Sequence, residues 1–332
     1  MKYLKKNIQI TDKLELDKIV IDERRKIEKL LNNNTKIKLI GIDDKGFIKD
    51  LYLFGYIGNL DDYIFSKLEY LSIEEGENII QEIITTNILL KDIFIIKSNI
   101  TEIFSFKEYN YIENLNFNNN SIKKINNIEN LVNLIELSLR NNKISKIEGF
   151  NNLLKIKKLN LGNNFIESID GLESLINLKE LSIHGNQIED INEFKDLSTL
   201  EKLEKIDLTQ NPIKDLNITT LLPNLRSISL VECEISKISA VKYLPNLKTI
   251  ALQGNKLEIL ENFSHVPNLR RININRNKIV SCENLEGLPK GCTIDGFHEE
   301  YFTPHEKNEL ETYLNSLGIK YTWRSVNYLD EL

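Results

Sequence analysis

The stretch Leu115-Asn-Phe117-Asn-Asn-Asn120-Ser-Ile122 recurs at 22-residue intervals as Leu137-Ser-Leu139-Arg-Asn-Asn142-Lys-Ile144, Leu159-Asn-Leu161-Gly-Asn-Asn164-Phe-Ile166 and Leu181-Ser-Ile183-His-Gly-Asn186-Gln-Ile188. After one longer unit the pattern resumes, again at 22-residue intervals, at Ile206, Ile228, Ile250 and Ile272. A second marker keeps the same spacing at Pro223, Pro245, Pro267 and Pro289. A fixed period over eight units predicts a repeat protein in which each unit packs only against its neighbours.

Each unit has the form L-x-L-x-x-N, followed by apolar residues at three-residue steps. The alternation in L-x-L predicts a short strand with both apolar residues buried, so that successive units add strands to one parallel sheet. The chain then turns, and an asparagine at the sixth position can satisfy backbone groups that the turn leaves inside the coil. The remainder predicts a return path of extended chain or 3₁₀ turns. The expected ladder of stacked side chains comprises Asn120, Asn142, Asn164, Asn186, Asn211, Cys233, Asn255 and Asn277.

These residues resemble the leucine-rich-repeat family, in the 22-residue subclass found in a regulatory subunit of protein phosphatase 1 and in bacterial internalins. The resemblance covers roughly residues 92–288. It implies an α/β solenoid, a right-handed superhelix with a parallel sheet on its concave face and 3₁₀ or extended segments on its convex face. It also implies binding on the concave face, although the motif residues specify no partner. The C-terminal cap motif common among relatives of the phosphatase regulator is not found here, which leaves specific orthology open.

Upstream of the regular units the pattern weakens but keeps its phase. Leu51-Tyr-Leu53, Leu71-Ser-Ile73 and Ile93-Phe-Ile95 predict three degenerate repeats without the asparagine. Before them, apolar residues at three- and four-residue spacings predict an amphipathic helix that caps the array. These apolar residues are Leu14, Leu16, Ile19, Val20, Ile27, Leu30 and Leu31. We therefore assign residues 1–36 to a helical N-terminal cap and residues 37–110 to degenerate repeats.

Downstream, the regular repeats over residues 111–292 give way to an α/β C-terminal cap over residues 293–332. Thr303-Pro304-His305-Glu306 predicts a helix start, which should run to about Ser316 and end with Gly318 in the left-handed conformation. Strands are expected at residues 293–295 and 319–323. The one longer unit has three extra residues near residues 194–203, which predict one additional turn on the side away from the sheet.

The bulk composition favours a folded cytoplasmic protein. The chain has 332 residues, 41% of them hydrophobic, and a net charge of −6, whereas nucleic-acid binders usually carry a basic excess, so we expect no nucleic-acid partner. Its three cysteines, irregularly spaced, fit a reducing compartment. The N-terminus lacks the apolar core of a signal peptide, and the most apolar stretch, residues 83–96, contains charged and polar residues. We therefore expect no membrane insertion.

Residues that could carry catalysis or bind a metal are few. None of His184, His265, His298 and His305 pairs with another at metal-ligand spacing, and the chain has no C-x-x-C and no phosphate-binding glycine loop. Cys292 and His298 lie close in sequence and could form a nucleophile pair, but no oxyanion-binding glycine motif accompanies them. We predict a non-catalytic protein without cofactors.

Side chains between and after the buried strand residues should lie on the concave face, where neither row has a strong charge bias. The partner-binding candidates on this face are Phe94, Ile96, Arg140, His184, Asp207, Thr209, Gln253, Arg271, Asn273 and Asn275. The first of two notable spots is an apolar patch, which aromatic interface anchors would suit but which the cap or a register shift could bury. It comprises Tyr52, Phe54, Tyr70, Phe94 and Ile96. The second is Arg270, Arg271 and Arg276, which flank Asn273 and Asn275 and form either a site for an acidic group or a solvated face.

The leading hypothesis is a cytoplasmic scaffold or regulatory subunit that binds a folded protein partner, of unknown identity, on its concave face. Two alternatives stay open. One is a cell-surface adhesin of internalin type, which a leader sequence outside this chain would favour. The other is a non-catalytic module of an enzyme complex.

Overall fold

The computed structural model describes residues 7–8, 19, 21–32, 36–43, 45, 47–55, 65, 67–76, 89–103, 105–106, 111–191, 194–218, 220–241, 244–263 and 265–325. Two compact units divide the chain, Met1–Asn160 and Leu161–Leu332. Of the apolar positions that predict the N-terminal helix, Leu14, Leu16 and Val20 lie outside the described residues.

The first unit combines one helix with a sheet. Its elements are β1 (Asn7–Ile8), α1 (Ile21–Asn32), β2 (Lys36–Ile42), β3 (Ile48–Phe54), β4 (Tyr70–Glu74), β5 (Asp92–Ile96), β6 (Asn114–Asn116), β7 (Glu136–Ser138) and β8 (Lys158–Asn160). Strands β1, β2 and β3 pair antiparallel, whereas β3 to β8 pair in parallel and in sequence order. Leu51 pairs with Leu71, and Leu71 with Ile93, so the predicted strands of the degenerate repeats are confirmed.

The second unit repeats the parallel arrangement and ends in a cap. Its elements are β9 (Glu180–Ser182), a 3₁₀ helix (Phe194–Thr199), β10 (Lys205–Asp207), β11 (Asp215–Ile218), β12 (Ser227–Ser229), β13 (Lys237–Val241), β14 (Thr249–Ala251), β15 (Ile259–Leu260), β16 (Arg271–Asn273), β17 (Ser281–Cys282), β18 (Thr293–His298), a second 3₁₀ helix (Glu299–Tyr301), α2 (Pro304–Ser316) and β19 (Lys320–Arg324). The main sheet has the order β9-β10-β12-β14-β16-β18-β19, all parallel. Strands β11 with β13 and β15 with β17 form two short pairs on the return path.

The core of each unit consists of apolar side chains that repeat with the period of the sequence. In β7 the middle residue Leu137 is buried, its two neighbours are not, and Leu139 two positions later is buried again. On the return path the residues at three-residue steps, from Ile122 to Leu134, are likewise buried. Burying one such side chain stabilises the fold by about 1.5–3 kcal/mol. The predicted parallel-sheet solenoid is thereby confirmed within each unit.

The ladder asparagines use both ends of their amide groups, as at Asn142. Its Nδ2 donates to the Leu139 carbonyl in its own coil (2.9 Å) and to the Phe117 carbonyl in the preceding coil (2.9 Å). Its Oδ1 accepts from the Ile122 amide at 3.0 Å. These bonds tie consecutive coils together through backbone groups that have no strand partner. At Cys233 the thiol lies 3.4 Å from the Leu208 carbonyl, a weaker contact.

The antiparallel pairing of β2 with β3 was not predicted. A turn between the two strands is stabilised by Asp43, whose Oδ1 accepts from the amides of Lys45 (2.9 Å) and Phe47 (3.0 Å). Helix α1 contributes Glu23, a buried carboxylate that accepts from the Ile48 amide of β3 at 2.6 Å. An aspartate turn between two apolar runs is a hairpin signal, so this hairpin could have been predicted from the sequence.

The C-terminal cap follows the prediction closely. Thr303 caps α2 and forms a capping box with Glu306, Pro304 occupies the first turn, and the helix ends at Ser316. Gly318 has φ +69°, the left-handed conformation. Strand β19 then adds to the sheet beside β18. Neither helix in the described part of the chain is long and apolar enough to cross a membrane.

Candidate functional site

The alternation of each strand sends every second side chain to the exposed face of the sheet. All ten partner-binding candidates are half-buried or exposed there. In the first unit they are Phe94, Ile96 and Arg140, and in the second unit they are His184, Asp207, Thr209, Gln253, Arg271, Asn273 and Asn275. The candidates therefore fall on two surfaces, one in each unit, and their role in binding stays a prediction.

Three rings stack across neighbouring strands of the first unit. The centroids of Tyr52 and Tyr70 are 4.6 Å apart with an interplanar angle of 29°, and those of Tyr70 and Phe94 are 5.1 Å apart at 23°. We call Tyr52, Tyr70, Phe94 and Ile96 the aromatic surface. Each ring pair adds about 0.5–1.5 kcal/mol beyond area burial. The sequence left open whether the cap or a register shift buries this patch. In the structure all four residues are half-exposed.

Tyr70 lies at the centre of the aromatic surface, and carboxylates flank it on both sides. Asp50 and Asp92 pair with it in register on β3 and β5. Burial, and then the neighbouring Tyr52 phenol, raises the pKa of Tyr70. Tyr70 therefore stays protonated at neutral pH, and the surface offers apolar ring area together with a neutral hydroxyl.

Farther along the same unit, asparagines hold the candidate Arg140 by its backbone. Asn118 Oδ1 accepts from the Arg140 amide at 2.8 Å and from the Ser138 hydroxyl at 2.7 Å. The guanidinium of Arg140 is exposed. Its backbone is thus fixed while its side chain extends into solvent.

On the second unit, the candidate residues bond to each other and to neighbouring serines of the same face. His184 Nδ1 lies 2.9 Å from the Ser182 hydroxyl and 3.8 Å from an Asp207 carboxylate oxygen. Thr209 and Ser229 share a hydroxyl hydrogen bond of 2.9 Å. We call these residues, with Gln253, the polar surface.

Gln253 and Asn275 occupy the same position in adjacent repeats. Gln253 Oε1 and Asn275 Oδ1 are buried acceptor atoms with no hydrogen-bond partner among the described residues. The side-chain nitrogen of Asn275, Nδ2, donates to Asn273 Oδ1 at 2.5 Å. Because both acceptor atoms are shielded from solvent, a ligand on the sheet face would reach them only after a side-chain rotation.

The arginine spot near the C-terminal end is largely neutralised within the unit. Arg271 Nε donates to Asp295 at 2.6 Å, and Arg276 donates to Glu232 at 3.0 Å. Hydrogen bonds from Gln210, and then from Arg276, lower the pKa of Glu232. Two of the three arginines already bind carboxylates, so this spot favours an acidic ligand less than the sequence suggested.

The sequence analysis missed a row of backbone turns at one edge of the sheet in each unit. The residue before each ladder position, and before Gly76 and Ser98 in the degenerate repeats, has a positive φ, in the left-handed conformation. The row comprises Glu75, Lys97, Asn119, Asn141, Asn163, Gly185, Gln210, Glu232, Gly254 and Arg276. The signal was present, because asparagine and glycine, which tolerate this conformation best, occupy half of these positions.

The cysteines show none of the features of a reactive nucleophile. Burial raises the pKa of Cys292 to about 11, whereas catalytic thiols have a lowered pKa. Its sequence neighbour His298 lies 3.3 Å from Glu300 and accepts from the Arg276 amide at 3.2 Å. Burial also raises the pKa of Cys233 to about 11. Within the described ranges, no group of His, Cys, Asp and Glu side chains is arranged to hold a metal ion.

Comparisons with known proteins agree with this geometry. A family model described as leucine-rich repeats in two copies matches residues 133–174, 154–196 and 176–222, and a second leucine-rich-repeat model matches residues 223–279. No curated protein sequence matches the chain.

Among solved structures, an internalin (inlF) from Listeria monocytogenes is 17% identical with a TM-score of 0.53, over 95% of this chain and 93% of that one. The leucine-rich-repeat domain of APL1B is 18% identical with a TM-score of 0.52, over 69% of this chain and 66% of that one. At these identities the likeness concerns the fold alone. TLR13, in a complex with ssRNA13, is 30% identical with a TM-score of 0.52, and the match covers 60% of this chain but only 30% of TLR13.

Proposed function

Because this chain is a leucine-rich-repeat protein with a 22-residue repeat period, we propose that it is a non-catalytic interaction module that binds a folded protein partner. The proposed contact surface is the exposed face of the sheet. The observation that carries the proposal is the aromatic surface of the first unit, where three stacked rings lie half-exposed on regular strands. Rigid aromatic side chains of this kind are common anchors of protein interfaces.

The dimensions of the face support this proposal. Six parallel strands, β3 to β8, at about 4.8 Å spacing extend over roughly 25 Å of the first unit. A standard interface buries about 800 Å² on each partner, a patch roughly 28 Å wide. The face of one unit is therefore about wide enough for a protein partner.

Charge and thiol chemistry also support a protein ligand and a non-catalytic role. Acidic and basic residues alternate on the face, as in the Glu136–Lys158 pair at 3.0 Å. A face of mixed charge is a poor match for a nucleic-acid backbone, so we propose a protein partner and not an RNA such as that in the TLR13 complex. The buried, protonated thiols argue against cysteine catalysis.

We also propose that the protein acts in the cytoplasm, since three free thiols suit a reducing compartment. The adhesin alternative gains no support from the internalin likeness, which concerns the fold alone. The alternative of a module within an enzyme complex differs from the main proposal only in what the partner does. Cell fractionation with an antibody to the native protein tests the location, and surface exposure would contradict it.

The proposed function predicts that removing the aromatic surface weakens partner binding. The double variant Tyr52→Ala/Phe94→Ala should bind a captured partner at least about tenfold more weakly, because each aromatic anchor contributes about 1 kcal/mol or more. The partner is first captured from lysate of the native cell, and its affinity is then measured by calorimetry. The variant Arg140→Ala/His184→Ala/Gln253→Ala tests whether the remaining candidates contribute.

A matched control removes apolar area away from the exposed face. Val132 and Leu154 are 43% and 47% exposed on the return path, so Val132→Ala/Leu154→Ala should leave the affinity unchanged. Circular dichroism of each variant checks that the fold is intact. Equal affinity of the wild type and both face variants would exclude the sheet face as the contact surface.

A further inference from the structure

A basic cleft lies on the return path of the first unit, away from the exposed face of the sheet. It has a volume of about 550 Å³. Its lining residues come from two consecutive repeats: Lys123, Lys124, Lys143, Ser145, Lys146 and Glu148. We call it the lysine cleft.

The repeat geometry brings these lysines together. Lys124 and Lys146 occupy the same position in adjacent coils, which are spaced by about 4.8 Å. The Lys143 amide donates to the Ile122 carbonyl at 2.8 Å, which fixes the two coils side by side. Buried isoleucines alternate with the lysines and hold the backbone in place, while all four lysine side chains remain exposed.

The lining residues of the lysine cleft carry an excess of positive charge, although Glu102 and Glu167 occupy the positions of Lys124 and Ser145 in the two flanking coils. It combines four ammonium groups with one carboxylate, a net charge of +3, in a chain whose net charge is −6. None of the four lysines makes an ion pair with another residue that the structure describes. Like charges in adjacent coils destabilise a fold.

Adjacent coils elsewhere in the chain place opposite charges at the corresponding positions. Lys256, which corresponds to Lys143, lies 3.1 Å from Glu234 in the neighbouring coil. Lys214, which corresponds to Lys123 and Ser145, lies 3.7 Å from Glu189. The fold therefore accommodates close ion pairs at these positions, and the lysines of the cleft, which form no such pair among the described residues, are available to an external anion.

We propose that the lysine cleft binds a phosphorylated segment of a protein partner. Lysine ammonium groups are mobile point charges that bind phosphate without a fixed geometry. A phosphoserine carries about −1.5 to −2 charges at neutral pH, so two adjacent phosphoserines match the +3 charge of the cleft. A nucleic acid would need a basic stripe much longer than two coils. This site is separate from the sheet face and does not depend on the function proposed for that face.

The test uses the full chain and a Gly/Ser peptide with two adjacent phosphoserines, titrated by calorimetry. The wild type should bind this peptide and not its unphosphorylated form. Lys124→Gln/Lys146→Gln should weaken binding about tenfold, the effect of losing two exposed charge contacts. Glu148→Gln, which removes the carboxylate of the cleft, should strengthen binding. The affinity should fall as salt is added.

Lys157→Gln/Lys278→Gln is the matched control, because it removes the same charge from two exposed lysines outside the cleft. It should leave the affinity unchanged, and the melting temperature of the cleft variant should not fall. Failure of the wild type to bind the phosphopeptide, or an equal loss in the control, would overturn the proposal. Tighter binding of inorganic pyrophosphate or of a single-stranded oligonucleotide would overturn the assignment to a protein segment.

Discussion

Replacing Gly296 by alanine is expected to lower the free energy of unfolding of the C-terminal cap by about 4 kcal/mol. Gly296 has φ +103°, a conformation that side-chain-bearing residues rarely adopt. A Cβ atom there would overlap Asn275 Oδ1 and lie 2.7 Å from Asn275 Cα. Because one of these atoms belongs to the backbone, a side-chain rotation cannot relieve the overlap.

The position matters because Gly296 forms an irregularity in β18. The pairing of β18 with β19 shifts between Asp295 and Phe297, and this shift turns the Phe297 ring into the core. There it packs against Trp323 with ring centroids 5.4 Å apart, and Phe302 contacts the same indole at 5.3 Å. Straightening the strand would withdraw Phe297 from this cluster.

The measurement uses the single tryptophan of the chain, Trp323, whose fluorescence reports directly on the cap during urea unfolding. Gly291→Ala is the control, since Gly291 has φ +82° but no atom within 4 Å of the added Cβ. Gly291→Ala should lower the free energy of unfolding only by the conformational strain, about 1–2 kcal/mol. If both variants lose the same stability, the close approach to Asn275 has no energetic consequence.

The repeat period predicted most of the fold, because each coil repeats the same local interactions. The strand alternation, the ladder asparagines and the buried return path all follow from positions that recur with this period. The capping box at Thr303 was equally predictable from the sequence, since it depends on four neighbouring residues. In these cases local chemistry and tertiary packing impose the same choice on each residue.

The features that the sequence analysis missed depend on surface neighbours that a repeat motif does not specify. Arg276 reaches Glu232 across 44 residues, a contact decided by side-chain length and rotamer. The other described strands of the main sheet do not share the bulge at Gly296, so the repeat pattern does not predict it. The lysine cleft could be predicted in part, because the repeat register already places Lys124 beside Lys146. The structure adds that its lysines form no ion pair with the described residues.

Replacing Asn186 by alanine is expected to lower the free energy of unfolding of the second unit by about 3 kcal/mol. Its side chain donates to the carbonyls of Leu161 (3.0 Å) and Ile183 (2.9 Å) and accepts from the Ile166 amide (3.0 Å). Asn186 is only 6% exposed, so water cannot replace these partners. The variant leaves the buried Ile166 amide without its acceptor, which costs more than the net value of one hydrogen bond.

Cys233 provides the matched comparison, because it occupies the same ladder position with a weaker hydrogen-bonding group. Its thiol lies 3.4 Å from the Leu208 carbonyl, and the Ile213 amide bonds to the Asn211 carbonyl within its own coil at 2.8 Å. Cys233→Ala should therefore cost only about 1 kcal/mol. Cys233→Asn should instead stabilise the unit by about 1 kcal/mol, by restoring the amide bonds of the other coils. Urea unfolding followed by circular dichroism measures all three variants. Equal losses for Asn186→Ala and Cys233→Ala would show that burial stabilises the ladder, whereas the predicted order assigns its stability to the amide hydrogen bonds.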